Sequence, residues 1–268
     1  MDNRAIGIFD SGLGGLTCVK KVMELMPNEK IIYFGDTGRV PYGTRSPQTI
    51  VKYVRQDINL LESFDIKYII IACGTASSAA LPHIQSEIST DIIGVLDPAC
   101  RAAVAATKNG KIGVIGTSGT INSGKYVQTI ESINPDIQVV SRACPLFVPL
   151  VENGYTKGDV VRIIAEEYLA PIRAEGVDTL ILGCTHYPLL KDEIQKIIGD
   201  NVTLINSGAE AAVAAYEHLK THNMLSDRKT GETQYYVSDS VNGFEELAGM
   251  FLEKHIEGSV HKIDIEKY

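Results

Sequence analysis

The chain has 268 residues, 44% hydrophobic and 22% charged, an ordinary globular composition that can bury one large α/β domain or two smaller ones. A formal charge of −8 without any Lys/Arg cluster argues against a nucleic-acid surface. The opening MDNRAIGIFD lacks the basic end and apolar stretch of a secretory signal, and no apolar run approaches the ~20 residues of a membrane span, so a cytoplasmic protein is expected.

The first apolar run, AIGIFD (5–10), reads as a buried strand and leads into DSGLGG (10–15). Gly12 and Gly14 fit the start of a dinucleotide loop, but Thr17 stands where the third glycine belongs, and Asp10 would repel a pyrophosphate. Asp36, closing the next strand KIIYFGD (30–36), sits where a ribose-binding acid would, which keeps that rival open. GDTGRVPYG (35–43) follows, and a third strand ends in IIIACGTASS (69–78), with Cys73 at the change from strand to helix. IIGVL (92–96) and KIGVIGT (111–117) are the next strands. GTINSGKY (119–126) misses a phosphate loop by one residue, since Tyr126 stands where Ser or Thr would hold magnesium; Thr117, Ser118 and Thr120 remain as hydroxyl donors. After IQVVSRA (137–143) and VPLVENG (148–154), the run TLILGCTHYPLL (179–190) again delivers a cysteine, Cys184, at a strand end. VTLINS (202–207) precedes an Ala-rich helix in which Ser207 and Glu210 have capping-box spacing. TQYYVS (233–238), a further helix and VHKIDI (260–265) are too short for a third domain and should pack back on the first half.

Apolar strands alternating with helices indicate parallel sheets covered on both faces. The chain also resembles itself: Ile6 and Ile112 stand 106 positions apart, Pro41 and Pro149 108, and Cys73 and Cys184 111. Landmarks in unchanged order at a nearly constant offset point to two similar halves. The expected fold is therefore α/β, with two pseudo-symmetric domains of parallel or mixed sheets, residues 1–97 plus 208–268 and 98–207, and the site between them.

Five cysteines (Cys18, Cys73, Cys100, Cys144, Cys184), an odd number without CxxC spacing, suggest neither a disulfide framework nor a zinc ribbon. A lone cysteine after an apolar strand is ordinarily a small core residue, and Cys18, Cys100 and Cys144 are read that way. Cys73 and Cys184 differ because they occupy equivalent points of the two halves, each before an expected helix start whose dipole would lower a thiol pKa. A metal at Cys184-Thr185-His186 lacks a second pair of ligands at usual spacing. Glu152 and His186, taken singly, are a surface carboxylate and a structural histidine; beside Cys184, His186 can stabilise a thiolate or move a proton. Two thiols flanking a cleft define a reaction: one takes a proton from a carbon acid and the other returns one to the opposite face, without a cofactor. A two-lobed binding protein for a small acidic ligand would have no use for the paired thiols.

DSGLGG, GDTGRVPYG, IIIACGTASS, VPLVENG and TLILGCTHYPLL, in this order over essentially the whole chain, resemble the motifs of bacterial glutamate racemases. The resemblance implies a cofactor-independent enzyme with no metal, interconverting L- and D-glutamate for peptidoglycan, and working as a homodimer. It implies that Cys73 acts on the D-isomer and Cys184 on the L-isomer. Asp10, Glu152 and His186 would assist the thiols, and Asp10, Ser11, Pro41, Tyr42, Gly43, Gly74, Thr75, Thr117, Thr120, Thr185 and His186 would hold the substrate. An aspartate racemase or a related cofactor-free isomerase of the same superfamily is the alternative. One departure stands out: the family usually has Asn after the first cysteine, and here Gly74 offers only its backbone N–H.

Overall fold

A computed structural model describes residues 1–253, 256 and 259–268. Its strands are β1 (Ala5–Asp10), β2 (Lys30–Gly35), β3 (Ile66–Ile71), β4 (Asp91–Gly94), β5 (Lys111–Gly116), β6 (Gln138–Ala143), β7 (Thr179–Leu182), β8 (Thr203–Asn206), β9 (Glu232–Val237) and β10 (Val260–Lys262). Among the described residues they form a six-stranded sheet, β10-β9-β2-β1-β3-β4, and a four-stranded sheet, β6-β5-β7-β8. All the pairings are parallel, so the mixed-sheet option falls away.

The internal likeness has a topological form. Within the larger sheet the order β2-β1-β3-β4 repeats the order β6-β5-β7-β8 of the smaller one. Cys73 lies two residues beyond the end of β3 and Cys184 two beyond the end of β7, so the two thiols are topological equivalents. The C-terminal return extends the first sheet, β9 pairing with β2 in register from Lys30↔Glu232 to Gly35↔Val237.

Local sequence explains the elements. β1 and β3 are buried along their whole length, as near-continuous apolar strands between two helical layers must be. The helix Pro47–Glu62 begins where the Ser46 side chain accepts from Thr49 N–H and Pro47 supplies a pre-set φ. It buries Ile50, Val54, Asp57, Ile58 and Leu61 along one stripe at helical spacing, with Leu60 beside them. A second helix corrects the sequence reading: Ser207 does not cap Ser207–Thr221. Asn206 does, accepting from Gly208 and Ala209 N–H, while Ser207 Oγ donates to the Leu182 carbonyl at 2.8 Å. The longer Asn side chain reaches two free N–H groups, leaving the serine to tie the helix to β7.

One core cluster runs through both sheets, from Ile8, Tyr33 and Ile70 to Ile115, Leu180 and Leu182. Beside it lies a buried ion pair. Lys67 Nζ meets Glu29 Oε2 at 2.7 Å and also donates to the carbonyls of Asp2 and Met224, binding the N-terminus and the return segment to β3. Among the described residues no helix is long and apolar enough to cross a membrane.

Candidate active site

Both sheets run their strands toward one cleft, where ligands of open parallel sheets are held. Asp10 ends β1 and Ser11 follows it, Pro41, Tyr42 and Gly43 follow β2, and Cys73, Gly74 and Thr75 follow β3. From the other sheet come Thr117 and Thr120 after β5, and Cys184, Thr185 and His186 after β7. All of these line one cavity, together with Val40, Val148 and Gly183. Glu152 is the one expected site residue outside that wall; it reaches the site through His186. The cavity is narrow and admits a water-sized sphere over only about 40 Å³, room for roughly three waters. Two roomier cavities, of about 650 and 480 Å³, are lined by neither thiol.

Cys73 caps the helix Gly74–Ala79, its Sγ accepting from Ala76 N–H at 3.5 Å and donating to Ser11 Oγ at 3.6 Å. The expected depression of this thiol is not what the structure gives. Burial, reinforced by the neighbouring Asp10, pushes Cys73 up to about 12. A six-residue helix offers too little field to offset the desolvation of a thiolate.

The second half differs in detail. No α-helix opens at Cys184, contrary to expectation; a 3-10 turn, Tyr187–Leu190, intervenes before Lys191–Ile198. What faces Cys184 Sγ is His186 Nδ1, 3.9 Å away, while His186 Nε2 meets Glu152 Oε1 at 3.0 Å. Burial alone would discharge the ring, but hydrogen bonds to Cys184 and Glu152, with Asp10 nearby, outweigh it and raise His186 to about 10. The imidazolium therefore persists at neutral pH, one N–H aimed at sulfur and the other at a carboxylate. Phe251 of the C-terminal return holds its ring edge-on to His186, centroids 5.6 Å apart.

Asp10 is buried to 1% exposure; desolvation raises its pKa, against the pull of His186 and the N–H groups of Gly12 and Gly15. It accepts from Gly12 N–H at 3.0 Å and from Thr185 Oγ1 at 3.4 Å, which links the two sheets. Three hydroxyls form a second link: Thr75 lies 3.0 Å from Thr117 and 3.3 Å from Thr120. Their oxygens can turn outward to a carboxylate, because a hydroxyl both donates and accepts.

Sequence reasoning passed over several supports. At Gly14 a Cβ would come within 2.2 Å of Thr185 Oγ1 and 2.5 Å of His186 Nδ1, so a glycine is required for the two loops to meet. Thr17 Oγ1 donates to the Thr185 carbonyl at 3.1 Å. The near-miss phosphate loop has no cradle: Gly124 takes a left-handed turn, Lys125 bonds Gln128 on the surface, and Tyr126 is buried.

The Asp/Glu/hydantoin racemase family model matches residues 15–215. The chain is 47% identical over 264 residues to the glutamate racemase of Geobacter metallireducens, covering 98% of this chain and 97% of that one. The crystal structure of glutamate racemase isoform RacE1 from Bacillus anthracis superposes with a TM-score of 0.95 at 39% identity, covering 98% of each chain. The glutamate racemase of Francisella tularensis, solved in complex with D-glutamate, superposes at 0.93 with 39% identity over 100% of both.

Proposed function

The chain belongs to the Asp/Glu/hydantoin racemase family, and on that premise we propose that it interconverts L- and D-glutamate by moving protons through Cys73 and Cys184. The observation that carries this reading is the placement of the two thiols at equivalent strand ends on the wall of one cavity. The substrate's Cα–H lies between them, and each thiol reaches one face.

The surroundings supply a direction. Cys73 is held as a thiol beside Ser11, ready to give a proton. The His186 imidazolium stabilises negative charge developing on Cys184 Sγ, as a base needs. That resting arrangement takes the proton of L-glutamate at Cys184 and returns one from Cys73, giving D-glutamate; the reverse run exchanges the roles. Glu152 holds His186, and Asp10 stands by the substrate ammonium. Ser11, Thr75, Thr117, Thr120, Thr185 and the backbone N–H groups of Tyr42, Gly43 and Gly74 receive the carboxylates, with Pro41 as part of the wall beside them. No cofactor is needed for these transfers. The product would serve peptidoglycan synthesis in the cytoplasm, with the enzyme a homodimer and each subunit divided as 1–97 plus 208–268 and 98–207.

Incubation with L-glutamate in D2O tests this. Circular dichroism of the substrate should decay to zero while deuterium enters Cα. Decay without exchange, or no decay, would overturn the reading.

A further inference from the structure

Beneath the cleft lies a cluster of buried charges that the reaction does not use. Asp36 and Asp57 are both fully buried, and Arg39 is the cation facing them, with Nε 2.6 Å from Asp36 Oδ2 and Nη2 2.8 Å from Asp57 Oδ1. The Tyr42 hydroxyl sits between the carboxyls, bonded to Asp36 and 2.9 Å from Asp57 Oδ2. Gln56 accepts from Arg39, whose guanidinium lies 4.2 Å over the Tyr53 ring, and Ser238 Oγ donates to Asp36 Oδ1.

We propose that Asp57 is a positioning residue for the cleft: with Arg39 and Asp36 it clamps the Tyr42 hydroxyl and so fixes the Pro41–Gly43 turn against the other sheet. That turn is one of the places where the halves touch. A Cβ on Gly43 would come within 2.9 Å of Thr117, and one on Gly119 within 2.8 Å of the Gly43 carbonyl. A turn docked this closely on Thr117 moves the lip of the cavity whenever Tyr42 shifts.

Proton accounting makes the clamp specific. Two carboxylates facing one guanidinium would leave a net buried negative charge, which is costly. The Tyr42 hydroxyl has one proton for two carboxyl oxygens within bonding distance, so its second contact needs a proton from a carboxyl. Burial and then Asp36 push Asp57 well above the ordinary carboxyl range, which favours Asp57 as the holder. With that proton on Asp57, its Oδ2–H donates to the Tyr42 oxygen, the Tyr42 O–H donates to Asp36 Oδ2, and Asp57 Oδ1 accepts from Arg39. An asparagine at 57 can reproduce each of these bonds; a leucine fills similar space and can make none.

The inference rests on the racemase reading of the cleft, so its test uses two readouts. Asp57→Leu should raise KM for glutamate roughly tenfold or more and speed backbone amide exchange across residues 39–45. Asp57→Asn should leave both within about twofold of wild type, since its hydrogen bonds are conserved. Should Asp57→Leu fail to fold, Tyr42→Phe removes the clamped hydroxyl and should show the same two effects. Wild-type values in Asp57→Leu, or in Tyr42→Phe, overturn the proposal, and so does an Asp57→Asn variant as damaged as the leucine one. If wild type does not racemise glutamate, the exchange readout alone still decides for or against the clamp.

Discussion

Gly74 lies so close to Gly183 that a Cβ built on Gly74 would stand 2.3 Å from the Gly183 carbonyl oxygen, well inside the 3.0 Å that real Cβ atoms respect. Each of these glycines adjoins a thiol, so their backbone contact sets how near the turns carrying Cys73 and Cys184 can approach. With this backbone placement, the Cβ of Gly74→Ala must push the turns apart. A displacement on this scale should lower kcat by roughly ten- to a hundredfold with the far-ultraviolet circular dichroism unchanged. Wild-type kcat in Gly74→Ala would show that the contact does not govern the thiols.

The imidazolium of His186 links activity to stability. With its folded pKa raised to about 10 from an ordinary value of about 6.5, its interactions stabilise the fold fully below the lower value. That contribution is lost as pH rises through the upper one. Urea titrations should show wild type losing stability relative to His186→Asn across this window, and Glu152→Gln should draw the upper edge down. Identical pH slopes for wild type and His186→Asn would contradict the assignment.

Cys73, pushed up to about 12 by burial, is almost wholly thiol at neutral pH, and only the thiolate alkylates. In the substrate-free protein its labelling by iodoacetamide, followed by peptide mass spectrometry, should be at least about a hundredfold slower than that of an unperturbed thiol at pH 8. Labelling at the rate of free cysteine would mean that the thiol is neither buried nor raised.

The Lys67–Glu29 pair predicts a stability effect remote from the cleft. Lys67→Met leaves Glu29 buried and without its cation, which should cost about 3–5 kcal/mol by chemical denaturation. Adding Glu29→Gln should restore part of that loss. A single variant within about 0.5 kcal/mol of wild type would show that water reaches the site.

Much of the fold was legible because burial on both faces writes near-continuous apolar runs, as in AIGIFD and TLILGC. The repeated placement of Cys73 and Cys184 made their pairing readable, whereas their electrostatics were not. Desolvation depends on what covers a group, and helix position alone misjudged Cys73. Asp57 did leave a trace. It falls on the apolar stripe of its helix beside Val54, Ile58 and Leu61, where a carboxyl is out of place unless partnered. Gly14 and Gly183 left no such trace, since close approach between loops distant in sequence has no local pattern.

The central claim is that Cys73 and Cys184 serve opposite faces of one carbon, and partial reactions test it most directly. Glutamate bearing chlorine at C3 needs only the first proton removed: the Cα–H pair moves to form the Cα–Cβ double bond, chloride leaves, and the enamine hydrolyses to an oxo acid and ammonia. Either cysteine replaced by serine should abolish racemisation, because a hydroxyl is too weak an acid to exchange protons there. Cys73→Ser should still eliminate chloride from the L-analogue, using Cys184, and Cys184→Ser from the D-analogue, using Cys73. Each variant processing only its own enantiomer is the predicted result. Both variants processing the same enantiomer, or Cys100→Ser and Cys144→Ser proving equally damaging, would contradict the account.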